Sequence, residues 1–230
     1  LYEIATDWTG FRENLKRNLA DHAGDTEREM DILREVHHAQ VFRLLAQDLS
    51  GLQTIERLSD HLTELADTIV QETLPLCWQT IKKRHREAPK FAVIGYGKMG
   101  GKELGYVSDL DLVFLFDDDA QDAPENYTRL GQRLSTWLSS QTPAGMLFET
   151  DLRLRPNGDS GLLAVSVDAF RDYQLKHAWV WEHQALTRAR FCAGDPAVGA
   201  RFEKIRCEIL CLPRDLAKLL ERNGQVEFGR

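Results

Sequence analysis

Between Asp25 and Leu49 the apolar positions Met30, Leu33, Val36, Val41, Leu44 and Leu45 recur near the helical period with charged residues between them. That spacing predicts one amphipathic helix. After a break at Leu49-Ser50-Gly51 the pattern resumes with Ile55, Leu58, Leu62, Leu65, Ile69 and Val70. Either Pro75 or the basic run Lys82-Lys83-Arg84-His85-Arg86 should end it. The first third therefore reads as a helical packing platform, and the basic run as a solvated face. At Lys90 the texture changes. Phe91-Ala92-Val93-Ile94 is a short apolar run ending in the glycine-rich turn Gly95-Tyr96-Gly97-Lys98-Met99-Gly100-Gly101, which predicts a strand and then a loop. Leu110 to Phe116, bounded by Ser108-Asp109 and Asp117-Asp118-Asp119, predicts a buried strand. Tyr127, Leu130, Leu134, Trp137 and Leu138 predict a helix, and after Gly145 a third strand is expected from Met146 to Arg155. Beyond Ser166 the chain reads as helical to its end, with Asp195-Pro196 as a cap and first turn.

These elements give an α+β class: a small mixed β-sheet flanked by helical segments. The expected division is a helical segment at 1–88, a catalytic core at 89–167 and a helical segment at 168–230 packed on the core. Composition changes this picture little. With 230 residues, 43% hydrophobic and 28% charged, the chain can bury a substantial core. The net charge of -7 offers no overall basic field for nucleic acid. No apolar stretch is long enough to span a bilayer, and no signal sequence opens the chain. Cys77, Cys192, Cys207 and Cys211 form no paired metal or disulfide spacing, so a reducing cytoplasm is the expected setting. A first residue of Leu1 suggests a piece of something longer.

The candidate chemistry lies in the carboxylates. Residues two apart in a strand share a face, so Asp109 and Asp111 should project side by side at the start of the second strand. Two like charges held that close are relieved most simply by a divalent cation, and hard Mg²⁺ takes oxygen ligands together with phosphate oxygens. The plain alternative is a turn-capping Asp109 and a wet strand-edge Asp111. In the third strand the same alternation puts Glu149, Asp151, Arg153 and Arg155 on one face. If the two strands are neighbours, Asp151 joins the pair, with Arg153 and Arg155 free to contact phosphate or to form a salt-bridge ladder. Such a cluster can support in-line phosphoryl or nucleotidyl displacement.

Gly95-x-Gly97-x-x-Gly100 followed by Asp117 also fits a dinucleotide-binding fingerprint. Only Lys98 to Val107 is left for its crossover helix, however, and that reading leaves all three aspartates idle. A loop whose backbone N–H groups cradle a nucleoside triphosphate uses all of these features.

A glycine turn, an Asp-x-Asp strand and a later single Asp resemble the polymerase-beta-type nucleotidyltransferase superfamily. More narrowly, Gly95-Tyr-Gly-Lys-Met-Gly-Gly-Lys-Glu-Leu-Gly-Tyr-Val-Ser-Asp-Leu-Asp111, Asp151-Leu-Arg-Leu-Arg-Pro156, Asp172-Tyr-Gln174 and the stretch from Trp179 to Arg190 are similar to the bacterial glutamine synthetase adenylyltransferase/deadenylylase family. The opening at Gly95 and the Trp181-Glu-His-Gln-Ala-Leu stretch are most like its C-terminal, adenylylating half. This resemblance implies transfer of AMP from ATP to a tyrosine of glutamine synthetase, with phosphorolytic removal of AMP as the activity of the partner half. It also implies Asp109, Asp111 and Asp151 as Mg²⁺ ligands and catalytic residues, Gly100, Gly101 and Ser108 as the nucleotide loop, and Arg153 and Arg155 beside the nucleotide. A PII-type signal protein is the implied regulatory partner of the full-length enzyme. Lys102 departs from relatives that carry a large aromatic residue there. Outside these motifs, Trp179, Trp181 and Phe191 are expected in the core, His183 as a hydrogen-bonded structural histidine, Arg188 and Arg190 as surface charges, and Cys207 and Cys211 as packing residues.

Overall fold

The computed structural model describes residues 6–213. Three helices open it: α1 (Trp8–Asp21), α2 (Thr26–Leu49) and α3 (Ile55–Gln79). Each begins on a side-chain cap, with Asp7, Asp25 and Thr54 accepting from backbone N–H groups of the first turn. Helix α3 runs through Pro75 and stops just before the basic run, so of the two expected stop signals the proline is not the operative one. One face of α3 is continuously apolar, and Leu62, Leu65, Ile69 and Trp78 are buried against the sheet core.

Strand β1 (Phe91–Gly95) is buried at every position and leads through the four-residue helix α4 (Gly97–Gly100) into β2 (Leu110–Phe116). Helix α5 (Ala123–Ser139) follows, then β3 (Thr150–Asp151), β4 (Ala164–Ser166), α6 (Val167–Lys176), α7 (Val180–Leu186), β5 (Arg190–Gly194) and α8 (Pro196–Leu210). The sheet is mixed and five-stranded. Strands β1 and β2 pair antiparallel, from Phe91 opposite Phe116 to Gly95 opposite Leu112. Both β3 and β4 pair parallel to β2, one near each of its ends, and β5 lies antiparallel on the far side of β1. Two antiparallel strands joined by α4 leave no parallel crossover unit, which removes the dinucleotide-binding alternative.

Alternation along β2 divides the core. Leu110, Leu112, Phe114 and Phe116 pack with α3 and α5, while Val113 and Leu115 pack with Phe170 of α6 and Phe202 of α8. Asp111 has the parity of Val113, so its carboxylate leaves on the side of the C-terminal helices. Approach to β3 is held by Arg34, a fully buried guanidinium on α2. It donates to the carbonyls of Gly145, Trp137 and Ser140 at 2.7–2.8 Å, and burial pushes its pKa down. Across the sheet, Arg190 of β5 pairs with Asp67 of α3 at 2.8 Å.

Four expectations fail here. The third strand forms ladder pairs only at Thr150–Asp151. The Asp151 carboxylate accepts from the Arg153 backbone N–H at 2.8 Å, and this Asx turn ends the strand before Arg153 and Arg155 can alternate along it. The region beyond Ser166 is not helical throughout. Strand β5 interrupts it, because its backbone is satisfied by the exposed edge of β1, and the expectation for 214–230 falls outside the described residues. Lastly, Trp179 and Trp181 are 50% and 56% exposed, because α7 is a short surface helix whose buried residue is Leu186. Phe191 is half-buried, and Cys207 on α8 and Cys211 at its C-cap are exposed instead of packing. Among the described residues no helix is long and apolar enough to cross a membrane.

Candidate active site

Parallel register sets Asp111 of β2 opposite Asp151 of β3, and the Leu110 N–H donates to the Glu149 carbonyl at 2.9 Å, which aligns the two chain segments at this level. Asp109 precedes β2 by one residue and shares the parity of Asp111. One carboxylate oxygen from each of Asp109, Asp111 and Asp151 thus falls within 4.8 Å of the others. All three side chains are half-buried. Burial, then the charges of Asp109 and Asp151, push the Asp111 pKa up, against the weaker pull of Lys98 and Arg153. Asp151 moves the other way, because the Arg153 guanidinium bonds its carboxylate directly. The cluster therefore holds more negative charge than its neighbours neutralise, in a set of hard oxygen donors. That donor set fits a divalent cation of the Mg²⁺ class.

The glycine turn meets this cluster at Gly97. Its φ of +53° lies in the left-handed region, and a Cβ there would strike the Asp111 carboxylate, so only glycine lets the turn close on the acid. Tyr96 N–H donates to the Asp111 carbonyl at 2.9 Å, tying loop and strand together. Gly100 passes directly beneath the Arg188 carbonyl with no room for a side chain, while Gly101 lies under the Arg188 guanidinium. The amides of Gly100 and Gly101 donate to Tyr96 and Gly97 carbonyls, which leaves the earlier N–H groups of this turn as the ones open to an anion. Ser108 accepts from the Gly105 N–H at 2.9 Å and so shapes the loop into β2.

Beside the carboxylates lies a cleft of about 590 Å³, lined among others by Asp109, Ser135, Thr150, Asp151, Arg153 and Arg155. Arg153 reaches across Asp151. Arg155 instead donates to the Leu152 carbonyl at 2.6 Å and lies 3.4 Å from Asp159, so it braces the turn that walls the cleft. Of the sequence-predicted residues, Asp109, Asp111 and Asp151 come together and Arg153 and Arg155 line the cleft beside them, whereas Ser108 lines a different cavity and Gly100 and Gly101 pack against Arg188. Gly97, Lys98 and Ser135 were not singled out from sequence. Gly97 had a signal in its place within the glycine pattern, whereas Ser135 sits on α5 and arrives only through its hydrogen bond to Thr150 at 2.9 Å. His183 donates to the Gln174 carbonyl at 2.8 Å, as expected of a structural histidine. Arg188 is exposed and pairs with Glu103, while Arg190 turns inward to Asp67 and is not the expected surface charge.

A model of the family described as glutamate-ammonia ligase adenylyltransferase matches residues 2–205. Similar curated proteins include those named bifunctional glutamine synthetase adenylyltransferase/adenylyl-removing enzyme from Aromatoleum aromaticum, 65% identical over 217 residues, and from Chromobacterium violaceum, 58% identical over 215 residues. The same name is carried by a protein of Ralstonia nicotianae, 55% identical over 219 residues. Each match covers 94% of this chain and 23–24% of the relative, so the chain spans about a quarter of the length of these relatives.

Proposed function

The chain belongs to the glutamate-ammonia ligase adenylyltransferase family, and on that premise we propose that it transfers AMP from ATP to a tyrosine of glutamine synthetase, releasing pyrophosphate. The observation that carries the proposal is the convergence of Asp109, Asp111 and Asp151 beside a glycine turn that closes on Asp111. Asp109, Asp111 and Asp151 are the residues that would hold Mg²⁺, which would supply positive charge to the triphosphate and the departing pyrophosphate. Phosphate oxygens rest on the open N–H groups of the glycine turn, and Lys98 and Arg153 offset the remaining charge. Arg155 braces the turn that walls the cleft. A tyrosine hydroxyl, with a pKa near 10, needs help at neutral pH, and Asp151 supplies it in one of two ways, by accepting the proton or by helping to hold the cation that acidifies the hydroxyl. The O–P bond forms at the α-phosphorus as the α–β bridge breaks.

A bifunctional name among the relatives supports one second reading, phosphorolytic removal of AMP by the same carboxylates with inorganic phosphate as nucleophile. A PII-type signal protein is the further partner proposed for the longer protein, on the resemblance alone. A cytoplasmic location is proposed with it, from the four free cysteines.

The test is transfer of label from α-labelled ATP to purified glutamine synthetase with Mg²⁺. Label on the target, lost in both Asp109→Asn and Asp111→Asn, supports the adenylylating reading. Release of ADP from adenylylated glutamine synthetase by phosphate, without forward transfer, assigns the second reading instead. Failure to bind either ATP or phosphate with Mg²⁺ overturns both.

A further inference from the structure

The glycine turn is too small to hold its own shape. Helix α4 has four residues and buries one side chain, Met99, and a helix this short does not repay the entropy of ordering its first turn. Its geometry is therefore set by what it touches. At its start Gly97 closes on Asp111. Its far end rests on the residues that lead into β5. The Arg188 carbonyl lies on Gly100, Gly95 pairs with Arg190 across the sheet, and the Arg190 Nη2 donates to the Met99 carbonyl at 3.1 Å. That carbonyl belongs to the last turn of α4, and besides Arg190 it accepts from the Lys102 N–H at 3.3 Å.

Arg190 can do this because its guanidinium is itself held. Nη2 donates to Asp67 Oδ1 at 2.9 Å and Nη1 lies 2.8 Å from Oδ2, a two-bond fork on a carboxylate carried by α3, and both side chains are largely buried. The fork fixes the plane of the guanidinium and leaves the second Nη2 hydrogen for Met99. A salt bridge that served only to join α3 to the sheet would need the fork and not this third bond. Resting on the nucleotidyl transfer proposed above, in which the glycine turn receives the phosphates, we infer that Arg190, aimed by Asp67, is a positioning residue that fixes the glycine turn against Asp111 and so sets the affinity for ATP. It acts through the turn, and the carboxylates do not depend on it. A lysine keeps the charge but has no fork, so it cannot hold Asp67 by two bonds and Met99 at once.

The experiment measures AMP transfer to glutamine synthetase with Mg²⁺ over a range of ATP concentrations for the wild-type chain, Arg190→Lys, Asp67→Asn, Asp118→Asn and Asp111→Asn. Arg190→Lys should raise the KM for ATP roughly tenfold, the effect of losing one hydrogen bond to a charged group, with kcat within about threefold because the carboxylates are untouched. Asp67→Asn should move KM the same way by less, since it keeps one acceptor oxygen. Asp118→Asn weakens an ion pair with Arg86 beyond the other end of β2 and so controls for lost stability, and its KM should stay at the wild-type value. The Gly100 and Gly101 amides, bonded at 2.8 and 3.0 Å to the Tyr96 and Gly97 carbonyls, should exchange hydrogen several-fold faster in Arg190→Lys and not in Asp118→Asn. An unchanged KM in Arg190→Lys, with transfer still lost in Asp111→Asn, overturns the positioning role and leaves the proposed function standing. An equal rise of KM in Asp118→Asn also overturns it, since it marks a general loss of stability. If the wild-type chain neither transfers AMP nor binds ATP, the proposed function falls and the positioning role falls with it.

Discussion

At the start of β2, Asp109 and Asp111 face Asp151 with a single guanidinium, Arg153, bonded to the group. Two residues beyond the other end of the same strand, Asp118 lies in a cage of donors. The Tyr127 hydroxyl and the His85 ring donate to it at 2.7 and 2.8 Å, and Arg86 and the Ala120 N–H at 2.9 and 3.1 Å. Asn126 donates to the other ring nitrogen of His85, which fixes the tautomer that serves Asp118. Burial works to raise the Asp118 pKa, but those donors outweigh it and hold the acid down to about 2. Asp111 is pushed the opposite way. The comparison separates two uses of one residue type. A compensated aspartate closes the joint between the N-terminal helices and the sheet, while an undercompensated cluster has the charge that the proposed cation would neutralise.

The largest effect expected from breaking this contrast is chemical. Asp111→Asn should lower AMP transfer by about 10³-fold, the loss of a few kcal/mol of charge stabilisation, while its denaturant midpoint stays level or rises because like charges have been separated. A fall in stability together with activity would erase the distinction drawn between the two sites. Next comes Asp118→Ala, which strands Arg86, His85 and Tyr127 around a side chain that is 2% exposed and should cost about 3 kcal/mol in urea unfolding. Nucleotide binding per folded molecule should be retained.

Acid comes third. The folded pKa of Asp118, about 2, lies below its ordinary 3.8, so its contribution is complete above about pH 4 and disappears as the pH falls toward 2. That shift corresponds to about 2 kcal/mol at neutral pH, and Asp118→Asn should flatten this part of the stability profile. The smallest effect belongs to Arg153→Ala. Its side chain is 75% exposed, so unfolding should change by no more than about 0.5 kcal/mol, even though its partner Asp151 belongs to the three-carboxylate cluster. A larger loss would mean that the cluster is braced as the Asp118 cage is.

Both ends of β2 could be located before the fold was known, yet only one could be interpreted. The Asp-x-Asp pattern and period-two alternation put Asp109 and Asp111 on one side, and the glycine-rich turn before them marked a close approach of the backbone, which the structure shows at Gly97 against Asp111. Asp118 looked like one member of an acidic strand terminator. Its donors come from residues 85, 86, 120 and 127, and of these His85 and Arg86 belonged to a run that read as a solvated face. Trp179 and Trp181 were misjudged for a related reason: composition favours burial of indoles, but a helix with one inward side has no room to bury both.

Local pattern determined the α2 and α3 helices, the β1 and β2 strands, and the carboxylates and glycines that make up the site, because periodicity and backbone permissiveness act over a few residues. Tertiary structure alone decided that β3 would stop at Asp151, that β5 would close the edge of β1, that Arg34 would be buried among carbonyls and that α7 would leave Trp181 in solvent. Each of those outcomes depends on which distant groups satisfy a backbone or a charge, and that is settled only when the sheet and its helices pack together.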